Sequence, residues 1–285
     1  MKRHLLFNSP VLLLILAITG VLQASCNKEE ISDDRNQLTL VSSTDDPVTR
    51  ATVNNVWSGG EQVQVSIDNG TAISFIAHQR GEKGELVPVS PLFWQNALQS
   101  ITARAWYPGS WTFPVDQRAG LQPADFIFAS TVTGITVLNY TSKPLVFQHR
   151  TAKVTVNLKA GTDINNVNGA TVAFRGYTAG IPNTTHVGNG VISGATNGWI
   201  LPQNTNEDTY TALLIPQDNT GTQFVKITLG GNVYSYIPAA GQAVLQQGMA
   251  YTYNITVYMT RINVEVVGGI VWKEGNEYNI TPTTQ

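Results

Sequence analysis

The chain has 285 residues and a formal net charge of −2, with 42% hydrophobic and only 13% charged residues. This length allows one large domain or two ordinary ones, and the hydrophobic share is sufficient for a substantial core. No basic stripe is present to replace the counterions of a phosphate backbone, which argues against binding to nucleic acid. The abundance of Gly, Thr, Asn and Val is typical of an all-β protein with many turns.

The first 25 residues have the pattern of a secretory leader. A basic start at residues 1–4 precedes an apolar stretch at 11–18, which is too short to span a bilayer. Small residues then lead to Cys26, the single cysteine, so no intramolecular disulfide can form. This pattern is similar to a bacterial lipoprotein signal and predicts acylation of Cys26, although Gln23 stands where an aliphatic residue is usual. The alternative is an ordinary signal peptide followed by an idle cysteine.

The residues directly after Cys26 carry charge. Asn-Lys-Glu-Glu at residues 27–30 is similar to the surface-export signal of Bacteroides-type lipoproteins, and a plain solvated linker is the alternative. Loss of residues 1–25 removes Lys2 and Arg3 and no acidic residue, so the mature net charge is −4.

A short first strand is predicted at residues 37–43. Leu38 and Leu40 lie on one face by the two-residue period of a strand. Asp-Asp-Pro at 45–47 ends it, because proline has no N–H to donate to a neighbouring strand. The segment around Arg50 is therefore expected to be loop-like and open to a protease.

The body of the chain then shows one strand signal after another. Residues 61–67 alternate cleanly, Asp-Asn-Gly at 68–70 forms a turn, and residues 71–77 return as the second strand of a hairpin. Further strands are predicted at 85–89, 100–107, 126–130 and 135–138. Residues 92–98 are the best helical candidate, for about two turns.

The hydrophobic phase changes within residues 143–158. Leu145 and Phe147 are odd-numbered, whereas Ala152, Val154, Val156 and Leu158 are even-numbered. A shift by one residue moves the apolar side chains to the other face of a sheet. Either a bulge near residues 149–151 re-aims the strand, or the chain leaves one core and enters a second. The second interpretation is favoured because the change falls near mid-chain and leaves two halves of ordinary domain size.

The second half of the chain shows the same succession of short predicted strands and turns. Strands are predicted at 169–177, 190–193, 209–215, 224–229, 233–237, 250–257, 261–267 and 270–272. The Asn/Gly/Thr-rich stretch 179–189 shows no core-forming pattern and is interpreted as a long loop. Many short antiparallel strands with frequent turns indicate two β-sandwiches in series.

The sequence offers little catalytic chemistry. The four histidines are scattered without zinc-ligand spacing, and no nucleophile elbow is present. We therefore expect no enzyme activity and no cofactor, and we interpret His149 as a structural residue. Trp106, Tyr107 and Trp111 are interpreted as packing residues, with a sugar-stacking platform as the alternative. The Asp/Asn-rich turns at 68–70 and 163–166 are interpreted as plain turns, with calcium sites as the alternative.

Several segments together resemble the fimbrillin family of Bacteroidetes. They are Thr-Arg-Ala at 49–51, Trp-Ser-Gly-Gly at 57–60, LVFQHRTAKVTV at 145–156, GMAYTYNITV at 248–257, and Trp272 followed by Tyr278. The individual motifs are loose, and their order behind a lipoprotein leader carries the resemblance over nearly the whole mature chain. Glu61 stands where the family usually has Asp after Trp-x-x-Gly.

This resemblance implies two tandem transthyretin-like β-sandwich domains, at 51–148 and 149–285, after a signal peptide at 1–25. It also implies a subunit of a type V pilus that is exported as an outer-membrane lipoprotein. Cleavage between Arg50 and Ala51 by an arginine-specific or trypsin-like protease would remove the tether and first strand at 26–50, with Arg35 as a weaker alternative site. The vacated groove would accept the C-terminal region 261–280 of another pilin subunit.

Two functions from different classes remain open at this point. The leading hypothesis is a structural pilin, in the stalk of a fimbrium that serves cell adhesion. The alternative is a lipoprotein that stays anchored at the outer surface and binds a glycan or host ligand.

Overall fold

The computed structural model of the protein describes residues 37–44, 57, 59–80, 83–185 and 188–271. These residues form sixteen β-strands and two short 3-10 turns, so the predicted all-β class is confirmed. No helix among them is long and apolar enough to cross a membrane.

Seven strands come from the first half of the chain. They are β1 (Leu40–Thr44), β2 (Gln62–Ile67), β3 (Ile73–Arg80), β4 (Lys83–Pro88), β5 (Ile101–Tyr107), β6 (Ile127–Ile135) and β7 (Leu145–His149). They form one sheet in the order β1-β4-β3-β2-β5-β6-β7, which closes on itself as a barrel. Strand β1 closes the barrel, because it pairs antiparallel with β4 and parallel with β7.

Nine strands come from the second half. They are β8 (Ala152–Ala160), β9 (Thr171–Pro182), β10 (Ile192–Ile200), β11 (Gln203–Asn206), β12 (Thr209–Leu214), β13 (Val225–Leu229), β14 (Asn232–Tyr236), β15 (Met249–Val257) and β16 (Ile262–Val271). They form a four-stranded sheet, β10-β9-β13-β14, and a five-stranded sheet, β11-β12-β8-β15-β16.

The turn between β2 and β3 shows how local sequence sets this topology. Asp68 and Asn69 have positive φ angles of 48° and 59°, the left-handed conformation that a tight hairpin turn requires. The Oδ1 atom of Asp68 accepts a hydrogen bond of 2.7 Å from the N–H of Thr102. The carboxylate thus ties the turn to β5, which confirms the interpretation of residues 68–70 as a turn.

Two hydrophobic clusters fill the molecule. The first core lies within the barrel and contains side chains such as Val63, Val65, Phe75 and Leu86. The second core gathers side chains from both second-half sheets, among them the fully buried Tyr253. Both cores lie within one compact unit, Leu38–Gln285.

Strands β5 and β6 are a wall shared by the two cores. Ala105, Ile127 and Ala129 face the first core, whereas Trp106 and Phe128 belong to the second. The ring planes of Trp106 and Phe128 are stacked with centroids 6.5 Å apart. The two cores are therefore separated by a single layer of backbone. The sequence-based boundary between residues 148 and 149 remains a prediction.

The hydrophobic phase change coincides with the passage from one core to the other. Leu145 and Phe147 on β7 are buried in the first core, and Ala152, Val154, Val156 and Leu158 on β8 are buried in the second. The favoured interpretation of this pattern is confirmed.

His149 lies at the junction between β7 and β8 and is buried there. Its Nδ1 lies 2.9 Å from the carboxylate of Asp125, which also accepts a hydrogen bond from the hydroxyl of Thr151. A buried imidazole with a carboxylate partner supports the interpretation of His149 as a structural residue.

Two sequence-based expectations were wrong. Residues 92–98 form bends and a turn and not a helix, because side-chain amides of Gln99 and Asn96 accept the N–H groups of Gln95 and Leu98. The stretch from residue 179 is not a long loop at its start, because β9 continues to Pro182 and pairs with β10 throughout.

Candidate functional site: strand β1 and its groove

Strand β1 lies between β4 and β7 and is hydrogen-bonded on both sides. Leu40, Val41 and Ser42 pair with Leu86, Glu85 and Gly84 of β4. Ser42, Ser43 and Thr44 pair with Leu145, Val146 and Phe147 of β7. Without β1, strands β4 and β7 would be the two open edges of a six-stranded sheet, and their unpaired backbone groups would form a template for another strand. We call this space the β1 groove.

The side chains of this segment complete the first core. Leu38 is 4% exposed, Leu40 is 1% exposed, and both belong to the hydrophobic cluster of the barrel. Ser42 is the next inward residue of the same alternation and is fully buried. The N–H of Leu38 also donates to the carbonyl of Leu92 at 2.8 Å. The predicted apolar face of residues 37–43 is thus confirmed, and it faces a core and not solvent.

A polar contact holds the middle of β1. The indole Nε1 of Trp57 donates a hydrogen bond of 2.8 Å to Oγ of Ser42, which donates in turn to the carbonyl of Gly84 at 3.1 Å. The Trp57 ring packs edge-on against Tyr107 and Phe147, with centroid distances of 5.7 and 5.5 Å. We call Trp57, Ser42 and Gly84 the latch.

Glycine is required in the latch for reasons of space. A Cβ atom on Gly84 would collide with the indole ring of Trp57 and would lie 2.5 Å from Oγ of Ser42. Only a residue without a side chain allows the indole and the hydroxyl to meet at this place. The groove consequently has room for a small residue of the inserted strand beside Gly84.

Two tyrosines near the cores illustrate how burial affects ionisation. Desolvation by burial, followed by the charge of Glu61, raises the pKa of Tyr107, which borders the Trp57 ring. Burial likewise raises the pKa of Tyr253 in the second core. Both phenols are therefore expected to remain neutral at physiological pH.

The predicted lipidation and cleavage residues lie outside the described residues. These are Cys26, Arg50, Ala51 and the alternative Arg35. Residues 45–56, which contain Arg50, connect β1 to Trp57 in sequence. The two halves of the latch, Ser42 and Trp57, are thus on opposite sides of the predicted cleavage position.

The predicted donor region 261–280 is described only as far as residue 271. Its residues 262–271 form β16, which pairs antiparallel with β15 and has no neighbour on its other side among the described strands. Ile262, Val264 and Val266 pack against the second core. Residues 272–280 lie outside the described part of the chain.

The three candidate sugar-stacking aromatics pack inside the protein. Trp106 is 6% exposed and stacks on Phe128, whereas Tyr107 packs against the first core and contacts Trp57. The Trp111 ring contacts Phe113 and Phe126. The favoured interpretation of these residues as packing residues is confirmed. In the part of the chain that the structure describes, no three His, Cys, Asp or Glu side chains are grouped to hold a metal ion.

The latch was not found by sequence reasoning. The sequence marks Trp57 as the first residue of the Trp-Ser-Gly-Gly motif and Ser42 as one residue of a strand, but no spacing rule links a strand serine to an indole fifteen residues later. The one available signal was the glycine near the start of β4. Glycine weakens the interior of a strand, and it often marks a place where another group approaches the backbone closely.

The comparisons with known proteins agree with this architecture. A family described as fimbrillin-like matches residues 49–271. No curated protein matches the chain.

Two solved structures of similar fold come from Bacteroides species. A candidate cell adhesion protein of Bacteroides uniformis aligns with a TM-score of 0.66 and 18% identity, over 83% of this chain and 98% of its own. A second, from Bacteroides ovatus, aligns with a TM-score of 0.59 and 18% identity, over 84% of this chain and 99% of its own. At this identity the likeness shows a shared fold alone.

Proposed function

Because the chain belongs to the fimbrillin-like family, we propose that it is a pilin, a structural subunit in the stalk of a type V pilus at the cell surface. In this role it is an adhesion protein and not an enzyme, and its partners are other pilin subunits. We propose two transthyretin-like domains, 51–148 and 149–285, and the presence of two hydrophobic cores supports this division.

The proposed maturation has three steps. The chain is acylated at Cys26, palmitate being one such acyl group, and is held in the outer membrane by this lipid. A trypsin-like or arginine-specific protease then cuts between Arg50 and Ala51. Finally residues 26–50 leave, and the C-terminal region 261–280 of the next subunit occupies the β1 groove.

One observation carries this proposal: β1 fills a two-sided groove but is joined to the rest of the barrel through residues 45–56 alone. A cut in that segment leaves β1 attached by hydrogen bonds and apolar contacts only. Strand addition between β4 and β7 restores the same backbone hydrogen bonds, and side-chain pockets under alternate residues supply specificity.

β1 is bound too strongly to leave an empty groove behind, so we expect it to depart only in exchange for another strand. Burial of Leu38, Leu40 and Val41 contributes roughly 1.5–3 kcal/mol for each side chain. Unpaired buried backbone groups on β4 and β7 would add about 1–3 kcal/mol each. An empty groove is therefore costly, and an incoming strand that fills it as β1 departs avoids this cost.

The latch residue Trp57 belongs to the barrel and not to the released segment, so its hydrogen bond affects the rate at which β1 leaves. After cleavage at Arg50, Trp57 stays with the barrel and still donates its hydrogen bond to Ser42 of the departing strand. We expect Trp57→Phe, which keeps the ring but removes the N–H, to speed the departure of β1 from cleaved protein about fivefold, as loss of one buried hydrogen bond predicts.

The test is a strand-exchange measurement on protein purified without its signal peptide. The protein is cut with trypsin and mixed with a fluorescent peptide of residues 37–50. Cut protein should take up the peptide and form ladders of oligomers that dissociate on heating, whereas Arg50→Gln protein should do neither. Cut protein that retains its own residues 26–50 for days, excludes the peptide and stays monomeric would overturn the proposal.

A second measurement locates the cleavage in the cell. N-terminal sequencing of the protein taken from the cell surface should begin at Ala51. A mature chain that still begins at Cys26 would support the alternative of an anchored surface lipoprotein.

A further inference from the structure

A polar cavity of about 350 Å³ lies beside the outer face of the four-stranded sheet. Arg175, Tyr177 and Asn197 line it from strands β9 and β10, and loop residues 217–219 and 222–223 line it from the other side. Its volume falls within the range of ~300–1,000 Å³ that ligand sites occupy. It lies in the second half of the chain, away from the β1 groove.

The strand alternation explains why these side chains share one face. Val172, Phe174 and Ile200 point into the second core, so Arg175, Asn197 and Trp199 are on the outer face by alternation. Tyr177 is partly buried and packs against the second core. Asn197 is directly opposite Tyr177, and Trp199 is directly opposite Arg175 in the register of this strand pair. Arg175, Asn197 and Trp199 therefore share one face of the strand pair beside the loop, with Tyr177 partly buried next to them.

A cationic and aromatic stack borders the cavity. The guanidinium of Arg175 lies 5.7 Å from the ring centroid of Trp199, and Nζ of Lys226 lies 4.4 Å from the same centroid. Among the described residues, neither cation has a carboxylate in salt-bridge range. The aromatic ring thus holds two positive charges beside the cavity, neither of them in an ion pair, and Asp218 is the one acidic residue among those that line it.

The loop side presents amides that are fixed in place. The side-chain carbonyl of Gln217 accepts the N–H of Tyr177 at 3.0 Å, and its amide nitrogen donates to Asn219. Asn219 is 2% exposed, and its Nδ2 has no hydrogen-bond partner in the described part of the chain. A buried donor without a partner is unusual in a native protein and is often found where a ligand or water binds.

We propose that this cavity binds a saccharide that carries a carboxylate group. Planar amides and a guanidinium match vicinal hydroxyls and a carboxylate, and a guanidinium binds a carboxylate with two parallel hydrogen bonds. The rings of Tyr177 and Trp199 supply an apolar surface beside the polar groups, as the C–H face of a sugar requires. Asp218 also lines the cavity and accepts the N–H of Thr220 at 2.8 Å, and its carboxylate is of the kind that accepts a sugar hydroxyl.

This site would add recognition of a ligand to the structural role, and it does not depend on strand exchange. It also differs from the aromatic group at Trp106, Tyr107 and Trp111, which packs inside the protein. A subunit with such a site would contribute to adhesion along the shaft of a fimbrium.

The test uses uncut protein without its signal peptide, with sialyllactose and oligogalacturonate as acidic probes and lactose and cellotetraose as neutral ones. Isothermal titration and saturation-transfer NMR should show saturable binding of at least one acidic probe. Arg175→Gln should weaken that binding tenfold or more, as the loss of charge-assisted hydrogen bonds predicts.

The matched control is Arg261→Gln. The Arg261 guanidinium lies over the Tyr258 ring at 4.2 Å, a similar cation and ring pair that does not line the cavity. This variant should bind as the unchanged protein does, and unfolding curves should show that both variants are folded. Absence of saturable binding to all four probes, equal binding of neutral and acidic probes, or equal effects of the two substitutions would each overturn the proposal.

Discussion

The two cores of this protein differ in how they are completed. The two sheets around the second core are formed by described strands from residues 152–271 alone, and Trp106 and Phe128 of the shared wall also pack in this core. The first core takes its closing strand from the far side of residues 45–56. A cut in one segment would therefore change the first core from a continuous structure into a complex of two pieces, while the second core would keep its connections.

The buried hydrogen bonds of the two cores also differ in what they hold in place. Tyrosine hydroxyls of the second core donate to backbone carbonyls nearby: Tyr251 to Val244 and Tyr253 to Gln242. In the first core, the latch joins Trp57 and Gly84 to Ser42 of β1. The second core thus uses buried hydrogen bonds to fix its own loops, whereas the first uses them to hold a strand that we propose is temporary.

The largest expected effect is removal of β1. A chain that begins at Ala51 should lose up to roughly 4.5–9 kcal/mol of barrel stability, since Leu38, Leu40 and Val41 are no longer buried. This is an upper estimate, because unfolded chains already bury some apolar surface. Hydrogen exchange should show lost protection in β4 and β7 and retained protection in β8 and β15.

A peptide of residues 37–44 added to this shortened chain provides the control. It should restore protection of β4 and β7, whereas a peptide with Leu38 and Leu40 both changed to Asp should not. Equal loss of protection in the two halves would mean that the shared wall of β5 and β6 couples the cores, and that β1 is not specific to the first.

A smaller effect is expected from Gly84→Ala in the latch. The added methyl group collides with the Trp57 ring, and overpacking of this kind costs about 1–3 kcal/mol. The matched control is Gly268→Ala on the edge strand β16, where a Cβ meets no atom within 4 Å. Urea unfolding should show a change of at most about 0.5 kcal/mol for the control. Similar effects of both substitutions would contradict the role of Gly84.

The smallest expected effect is a pH dependence of stability that arises in the second core. Burial raises the pKa of Tyr253 above its unfolded value of about 10, so its contribution to stability is complete below that pH and declines as pH rises beyond it. Above pH ~10 the decline should approach about 1.4 kcal/mol per pH unit for this one group.

Tyr253→Phe tests this expectation. The variant should lose about 1 kcal/mol at neutral pH, because the carbonyl of Gln242 loses its donor. Its stability should then fall less steeply than that of the unchanged protein in unfolding curves measured between pH 9 and 11. Parallel curves for the two proteins would contradict the cause assigned to the pKa shift.

The sequence by itself determined the class of fold and much of the strand pattern. Alternation placed Val63 and Val65 of β2 and Tyr253 and Ile255 of β15 correctly in the cores, because a pleated strand with one buried face requires a period of two. The phase change between Phe147 and Ala152 located the passage between the cores for the same reason. Only the start of β10 was predicted, within residues 190–193, because its stretch Gly194 to Gly198 is rich in small and polar residues and is held by pairing with β9.

Tertiary structure alone decided what these strands enclose. Leu38 and Leu40 predicted an apolar face, but only the closed sheet shows that this face fills the space between β4 and β7. The latch depends on three residues that are distant in sequence, and the cavity depends on a loop folded against two strands. Alternation reports which side of a strand is buried, and it carries no information about the neighbour that buries it, because strand pairing is set by contacts across the whole chain.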